Sequence, residues 1–395
     1  MSPEILEQQL LDRWLTAYDE MGTLPKYKEQ VVETFYGEMH LFRVSDYNNG
    51  NFPAEEGLSS EFSERKRAAY GLNAAGRPCY VTSYGEWEGF YHYSESYVEY
   101  VEFHIPTRVP SCIQRLELRD GLKTAYQSLL LNGRSGIPDL VGQPKEKMLK
   151  RLLKDKHSII SDVELFHYEN GCIKWADCLY NMPGIGKMPG REEYKYNEDG
   201  TLDEIVSILK DNEPQYAYVK PPAGVSLSEL SDRVSQLMAA DIITAIEAIK
   251  PKQPLVLLEV GYREVANYVP WLKLISERDW TRTLTEMGEE ELFNELMLYN
   301  DHDYKEVQLH TAERLLKAFL GEVEKGGDYA IAETMMHRTA WYLTTGKLDR
   351  KIAASDQFIA YSVDWSLCPD DIGEMLLSCG MPETQLHDWK ERGII

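Results

Sequence analysis

The stretch that decides the fold is YVTSYGEWEGFYHYSESYVEYVEFH, residues 80–104. It is rich in Tyr, Trp, Phe and Val, the side chains that suit a pleated surface, and it is broken by Gly85 and Gly89. That texture predicts a twisted antiparallel meander. The same texture runs on from Cys79 to about Leu209. A hairpin over residues 165–179 turns at Glu169-Asn170-Gly171, and another turns at Glu198-Asp199-Gly200, between Tyr194–Tyr196 and a strand over 202–208. Asn-Gly and Asp-Gly accept the positive φ that a tight hairpin turn demands. Residues 132–144 read as a loop, and Gly184-Ile-Gly186 as a turn.

Working outward, the amino-terminal side reads as helix. Ser2 and Pro3 suit a helix start, and Leu6, Leu10, Trp14, Tyr18 and Met21 form one apolar stripe. A second helical stretch is expected over 26–36 and a loop over 47–57. On the carboxyl side, Pro214, Pro221, Pro222 and Gly224 break both patterns, so a domain boundary is expected within 211–225. Ser226 with Glu229 three residues on forms a capping box that opens a helix to about Ile249. Leu255–Val260 is a continuous apolar run, the mark of a strand buried on both faces. Helices follow over 289–299, 308–324 and 329–343, then a strand over 358–363 and two short helices over 370–377 and 384–392. The expected fold is α+β. Helices pack on a largely antiparallel sheet over residues 1–215, and a mixed, helix-rich α/β domain covers 226–395.

The chain has 395 residues with 42 Lys and Arg against 65 Asp and Glu, a net charge of −23. That surface is wrong for general nucleic-acid binding, which needs basic groups against phosphate. No run of 18 apolar residues suggests a membrane span, and Met1–Gln9 lacks the features of a secretory signal. Six Cys in a chain of this length suggest free thiols and a reducing, cytoplasmic setting. The charge is uneven: −9 over residues 1–100, +5 over 101–156 and −19 over 157–395. The basic island ends in Lys145, Lys147, Lys150, Arg151, Lys154 and Lys156, the outer face of a helix whose inner face is Met148, Leu149, Leu152 and Leu153.

Motifs that name a reaction are missing. No metal-ligand spacing occurs; Cys172 and Cys178 are two thiols on one hairpin arm, and Asp301-His302-Asp303 with His310 suits a hydrated helix start. Gly133-Arg-Ser-Gly136 is neither a nucleophile elbow nor a phosphate loop. No catalytic residue, metal or cofactor is therefore expected. The acidic run Glu286, Glu289, Glu290, Glu291 and Glu295 reads as a helix beginning.

The least ordinary feature lies inside the opening stretch. Tyr84–His104 holds five Glu, eight aromatics and no Lys or Arg. Two readings fit. One is a sheet with an aromatic face in the core and an acidic face in water. The other is a partner face, in which Tyr and Trp give stiff contact area and carboxylates steer a basic partner. The candidate partner-binding residues are Glu86, Trp87, Glu88, Tyr93, Glu95, Tyr97 and Glu99.

The carboxy-terminal half carries a resemblance. A long helix precedes Pro254-Leu-Val-Leu-Leu-Glu-Val-Gly-Tyr262 and Tyr268-Val-Pro-Trp271. A helical block and Asp356-Gln-Phe-Ile-Ala-Tyr-Ser-Val-Asp364 follow, and the end reads Cys379-Gly-Met-Pro382 through Leu386 to Ile395. Over residues 226–395 this order resembles an uncharacterised bacterial immunity-type family associated with polymorphic toxins. The resemblance implies a cytoplasmic bacterial protein that binds another protein, and it transfers no catalytic residue. The expected function is non-catalytic neutralisation of a basic toxin domain by occlusion. The alternatives are a hydrolase built from distant carboxylates and His, and a carbohydrate-binding module using the Tyr84–His104 rings.

Overall fold

The computed structural model describes residues 1–37, 41–48, 52, 58–63, 66–132, 142–155, 157–210, 213–263, 268–290, 292, 296, 304–326, 329–346, 348, 352–365 and 371–395. The fold is α+β, in two compact units, Met1–Ala217 and Tyr218–Ile395.

Unit one is organised by a single sheet of twelve strands in chain order. They are β1 (Glu33–Gly37), β2 (Ala68–Leu72), β3 (Pro78–Ser83), β4 (Trp87–Tyr93), β5 (Tyr97–His104), β6 (Val109–Arg119), β7 (Leu122–Leu131), β8 (Ile159–Glu169), β9 (Cys172–Met182), β10 (Gly186–Tyr196), β11 (Leu202–Leu209) and β12 (Gln215–Val219). Pairing is antiparallel from β1 to β11. Asn170 (φ 53°) and Gly171 (φ 83°) make the β8–β9 turn, and Gly200 (φ 79°) lies in the β10–β11 turn. The division between units falls inside β12, so the proline-rich break holds an edge strand of this sheet.

Three helices belong to the same unit: α1 (Pro3–Ala17), α2 (Leu24–Lys28) and α3 (Lys145–Lys154). Leu6, Leu10 and Trp14 of α1 and Met148, Leu149 and Leu152 of α3 meet Phe90, Val101, Phe103, Ile113, Leu129 and Val163 on one sheet face. The opposite face of β2–β7 carries a second core, Tyr70, Val81, Tyr91, Val98, Tyr100, Leu116 and Tyr126, covered by Phe42, Val44 and Tyr47. The sheet is therefore buried on both sides at its centre.

Unit two has a four-stranded sheet, ordered β15 (Lys305–Glu306), β14 (Trp271–Ser276), β13 (Leu255–Tyr262), β16 (Ala354–Asp364). β13 is buried at every position, antiparallel to β14 and parallel to β16. Its helices are α4 (Leu227–Ile249), α5 (Glu277–Met287), α6 (Glu313–Gly326), α7 (Ala330–Gly346), α8 (Ile372–Ser378) and α9 (Glu383–Glu391). Ser226 and Glu229 close the capping box of α4. Asp241 of α4 accepts from the backbone N–H groups of His310, Thr311 and Ala312 and so holds the start of α6.

Several sequence expectations are corrected. The helix read over 26–36 stops at Lys28, and β-branched and aromatic residues turn the remainder into β1, paired with β2. The turn read at Gly184–Gly186 is present over residues 183–185, with Gly186 (φ 95°) opening β10, and Pro189 is tolerated inside that strand. Leu153 is 50% exposed and does not join the inner face of α3. Glu286 ends α5 instead of starting a helix, and Glu289 pairs with Arg392. Glu291, Glu295, Asp301-His302-Asp303, Gly133–Gly136 and Lys156 lie outside the described residues. Among the described residues no helix is long and apolar enough to cross a membrane. The five described cysteines, Cys79, Cys112, Cys172, Cys178 and Cys379, are free thiols.

Candidate functional site

The residues singled out on β4 and β5 do not form one face. Glu99 is 3% exposed and belongs to the interior. Its oxygens accept from Arg13 Nε (2.9 Å) and Nη2 (2.7 Å), and Arg115 Nη1 lies 3.3 Å away. The Arg115 guanidinium also lies over the Tyr97 ring, 3.9 Å from its centroid. Tyr80 donates to Glu88 (2.6 Å), and Tyr93 donates to the Pro78 carbonyl (2.8 Å). Trp87 is half-buried between Tyr84 and His104. Of the seven candidates, Glu86 and Glu95 alone are exposed, and they stand beyond opposite ends of β4. Glu99 is therefore engaged within the fold: α1 covers its side of the sheet and brings Arg13 to it. The chain neighbours Tyr100 and Glu102 point to the other face, where Tyr100 and Ser111 donate to Glu102.

A different acidic and aromatic group gathers on β8–β10. In an antiparallel ladder, opposed residues share a face. Asp162 lies opposite Ser128 of β7 and Tyr180 of β9; Glu164 lies opposite Tyr126 and Cys178. Glu192 of β10 lies opposite Ala176, two positions along β9 from Cys178. Asp162, Glu164 and Glu192 thus share one face with Tyr126, Tyr180, Tyr194 and Cys178. Tyr180 donates to Glu192 Oε1 (3.0 Å), and the Tyr194 hydroxyl reaches Oε2 (3.4 Å). The Asp162 Oδ1 atom is sealed from solvent and has no hydrogen-bond partner. A buried polar atom left so is uncommon and costly.

The electrostatics follow from crowding. Burial, reinforced by the Glu192 charge, pushes the Asp162 carboxyl up to about 7. Burial also pushes Glu164 well above the carboxylate range; Asp162 and Glu192 add to this, and Lys123 opposes it. Lys123 is itself pushed down by burial, and its ammonium donates to the Ser45 carbonyl (2.6 Å). Burial raises the Cys178 thiol and the Tyr180 and Tyr194 hydroxyls, so none of them is ionised at neutral pH. Cys178 is therefore a poor nucleophile. Among the described residues no three His, Cys, Asp or Glu side chains converge closely enough to hold a metal ion.

Unit two offers a contrasting groove of about 1020 Å³ between α4 and α7, lined in part by Asp232, Arg233, His337, Arg338, Trp341 and Tyr342. Its central carboxylate is matched. Asp232 accepts from Tyr342 (2.8 Å), Gln236 (2.9 Å) and Arg338 (3.3 Å). Burial lowers the His337 pKa, with Glu333 opposing. A third carboxylate, Glu259 of β13, is 1% exposed and accepts from Tyr304, Tyr361 and Trp365. Three donors make it a structural anchor.

Sequence reasoning missed the β8–β10 group. Its only local signal is Asp162-x-Glu164 in a strand that alternates polar and apolar residues, which also describes any wet-sided strand. Glu192 and Tyr180 join it only through register. No protein-family model matches the chain, and no curated protein matches it.

Proposed function

We propose that the protein is a non-catalytic binding protein for a basic protein partner, an immunity-type factor of the bacterial cytoplasm that neutralises a toxin domain by occlusion. The observation that carries this reading is the acidic face of β8–β10, where Asp162, Glu164 and Glu192 gather among Tyr126, Tyr180 and Tyr194. A net charge of −23 supports it, because long-range attraction speeds encounter with a basic surface. Tyrosines around a desolvated charge have the composition of a binding hot spot. Occlusion then needs no chemistry from this chain, since the bound face covers the partner's cleft.

The test is affinity capture from the native host with the full chain as bait, alongside an Asp162→Asn, Glu164→Gln double variant. A basic protein held by the native bait and reduced at least tenfold on the variant is the expected result. Equal capture by both baits, or capture of no basic protein, overturns the reading. One observation favours a hydrolase as a second reading: a carboxyl titrating near 7 beside another carboxylate is also what acid–base catalysis uses. A hydrolytic activity lost in Asp162→Asn would establish that reading instead.

A further inference from the structure

We propose that a cavity between α1 and strands β6–β8 binds an N-acylated apolar amino acid, the chemistry shared by a free acyl amino acid and a peptide carboxyl terminus. The carboxylate meets Arg115 and Arg119, the amide meets Gln127, and the apolar side chain lies on Leu6, Ala125 and Leu165. All six residues line the cavity, which measures about 720 Å³. Small-molecule sites measure roughly 300–1,000 Å³. The cavity is on the sheet face opposite Asp162, so the inference stands apart from the basic-partner reading.

Gln127 is the first pointer. It lies opposite Arg115 of β6 and Val163 of β8, which places it on the face under α1. It is 3% exposed, and among the described residues its amide has no hydrogen-bond partner. A buried amide without a partner is costly, and a ligand in the cavity supplies the missing bond.

The guanidiniums are the second. All five donors of Arg13 are engaged by Glu99, Glu20 and Thr16. Arg115 donates through Nε to Glu117 (2.6 Å) and through Nη1 to Glu99 (3.3 Å), and its Nη2 has no partner among the described residues. Arg119 is exposed at the end of β6, and among the described residues no carboxylate pairs with it. Such groups select a carboxylate. The two acids of the lining are already met, Glu117 by Arg115 and Asp12 by Gln8 (3.0 Å), so an ammonium finds no open counter-charge and the amino group must be acylated. Opposed residues in a ladder stand roughly 5 Å apart, so the carboxylate at Arg115 and the amide at Gln127 must leave neighbouring atoms of the ligand. The α-carboxylate and α-amide of one amino acid do so. A bulge shapes the same wall: Glu117 pairs with Ala125 and Leu118 with Lys123, which leaves Thr124 as an extra residue of β7, and Leu118 and Thr124 both line the cavity. Bulges re-aim side chains beside functional sites.

The experiment titrates the full chain by calorimetry with N-acetyl-leucine and with acetyl-Gly-Gly-Leu. N-acetyl-leucinamide, free leucine and 4-methylpentanoate are run beside them and lack, in turn, the carboxylate, the acyl group and the amide. The expected result is saturable binding of N-acetyl-leucine or the tripeptide, with each of the three analogues weaker by about tenfold or more. Tripeptide binding at least as tight as that of N-acetyl-leucine assigns the site to a peptide terminus, and weaker binding assigns it to the free acyl amino acid. Arg119→Gln and Gln127→Leu should each weaken binding about tenfold. Arg119 is exposed, so its replacement leaves the fold intact, and Gln127→Leu should unfold at the native temperature or above it, because it removes a buried amide without a partner. Saturable binding of neither N-acetyl-leucine nor the tripeptide overturns the site. So does any of the three analogues binding as tightly, or unchanged affinity in either variant.

Discussion

Glu99 on β5 and Asp162 on β8 are carboxylates withdrawn into opposite faces of one sheet, and they are treated in opposite ways. Glu99 faces α1, and that helix carries Arg13, which binds both of its oxygens while Arg115 adds a second cation. Asp162 faces away from α1, among tyrosines and two further carboxylates, with one oxygen unpartnered. The difference lies in which element covers each face. A carboxylate matched inside the fold stabilises that packing and is finished. One left unmatched carries a desolvation cost that nothing inside the fold offsets. Glu259 belongs with Glu99, its charge spread over three hydrogen-bond donors instead of two cations.

The strongest way to break this contrast is Arg13→Ala. Removing one partner of a buried ion pair costs roughly 3–5 kcal/mol, because the remaining charge stays desolvated. Urea unfolding at pH 7 should register that loss; a change below about 1 kcal/mol would mean Glu99 is no better matched than Asp162.

Asp162→Asn should act with the opposite sign. The folded-state pKa of Asp162 is raised from 3.8 to about 7, so the native protein holds its proton where the unfolded chain has released it. Stability therefore falls as pH rises from about 4 to about 7 and is level above that. Replacing the carboxyl with an amide removes this dependence. The variant should gain on the order of 2–4 kcal/mol over the native protein at pH 8 and little at pH 4. A difference that stays constant with pH in urea unfolding would remove Asp162 from the unmatched class.

Trp87→Ala sharpens the view that β4–β5 is internal packing. Trp87 is half-buried against Tyr84 and His104, so truncation should cost about 1–2 kcal/mol in thermal unfolding. Capture of the basic partner should be unchanged. A loss of capture with stability intact would return the partner face to that stretch.

The smallest expected effect concerns two cysteines of one strand. Cys172 is exposed, whereas Cys178 is buried beside Glu164 with its thiol pushed up. In the native state a thiol reagent should modify Cys172 faster by about two orders of magnitude, since Cys178 reacts only through opening of the strand. Similar rates, followed by mass spectrometry, would show that the β8–β10 face opens freely.

Much of the fold was legible before the structure because its signals are local. Asn170-Gly171 and Asp199-Gly200 turn where positive φ is needed, Ser226 and Glu229 cap α4, and the Leu255–Val260 run is a strand covered on both sides. β1 is not legible because the five residues Glu-Thr-Phe-Tyr-Gly mean little until β2, more than thirty residues on, offers a partner ladder. β14 and α5 went unread between stronger neighbours. The candidate site was the least legible part. Tyr84–His104 has an unusual composition, but composition does not say which side chains a helix will cover.

By itself, then, the amino-acid sequence determined the class of the fold, the positions of its tight turns and caps, and a net charge of −23. Each of these depends on residues within a few positions of one another or on a total. Only the tertiary structure decided that Glu99 is neutralised by a helix 86 residues away in the chain, and that Asp162, Glu164, Tyr180 and Glu192 share one face. The physical reason is the period of two along a strand. A slip of one residue in any ladder sends every side chain to the opposite face, so the meeting of distant charges is a property of register.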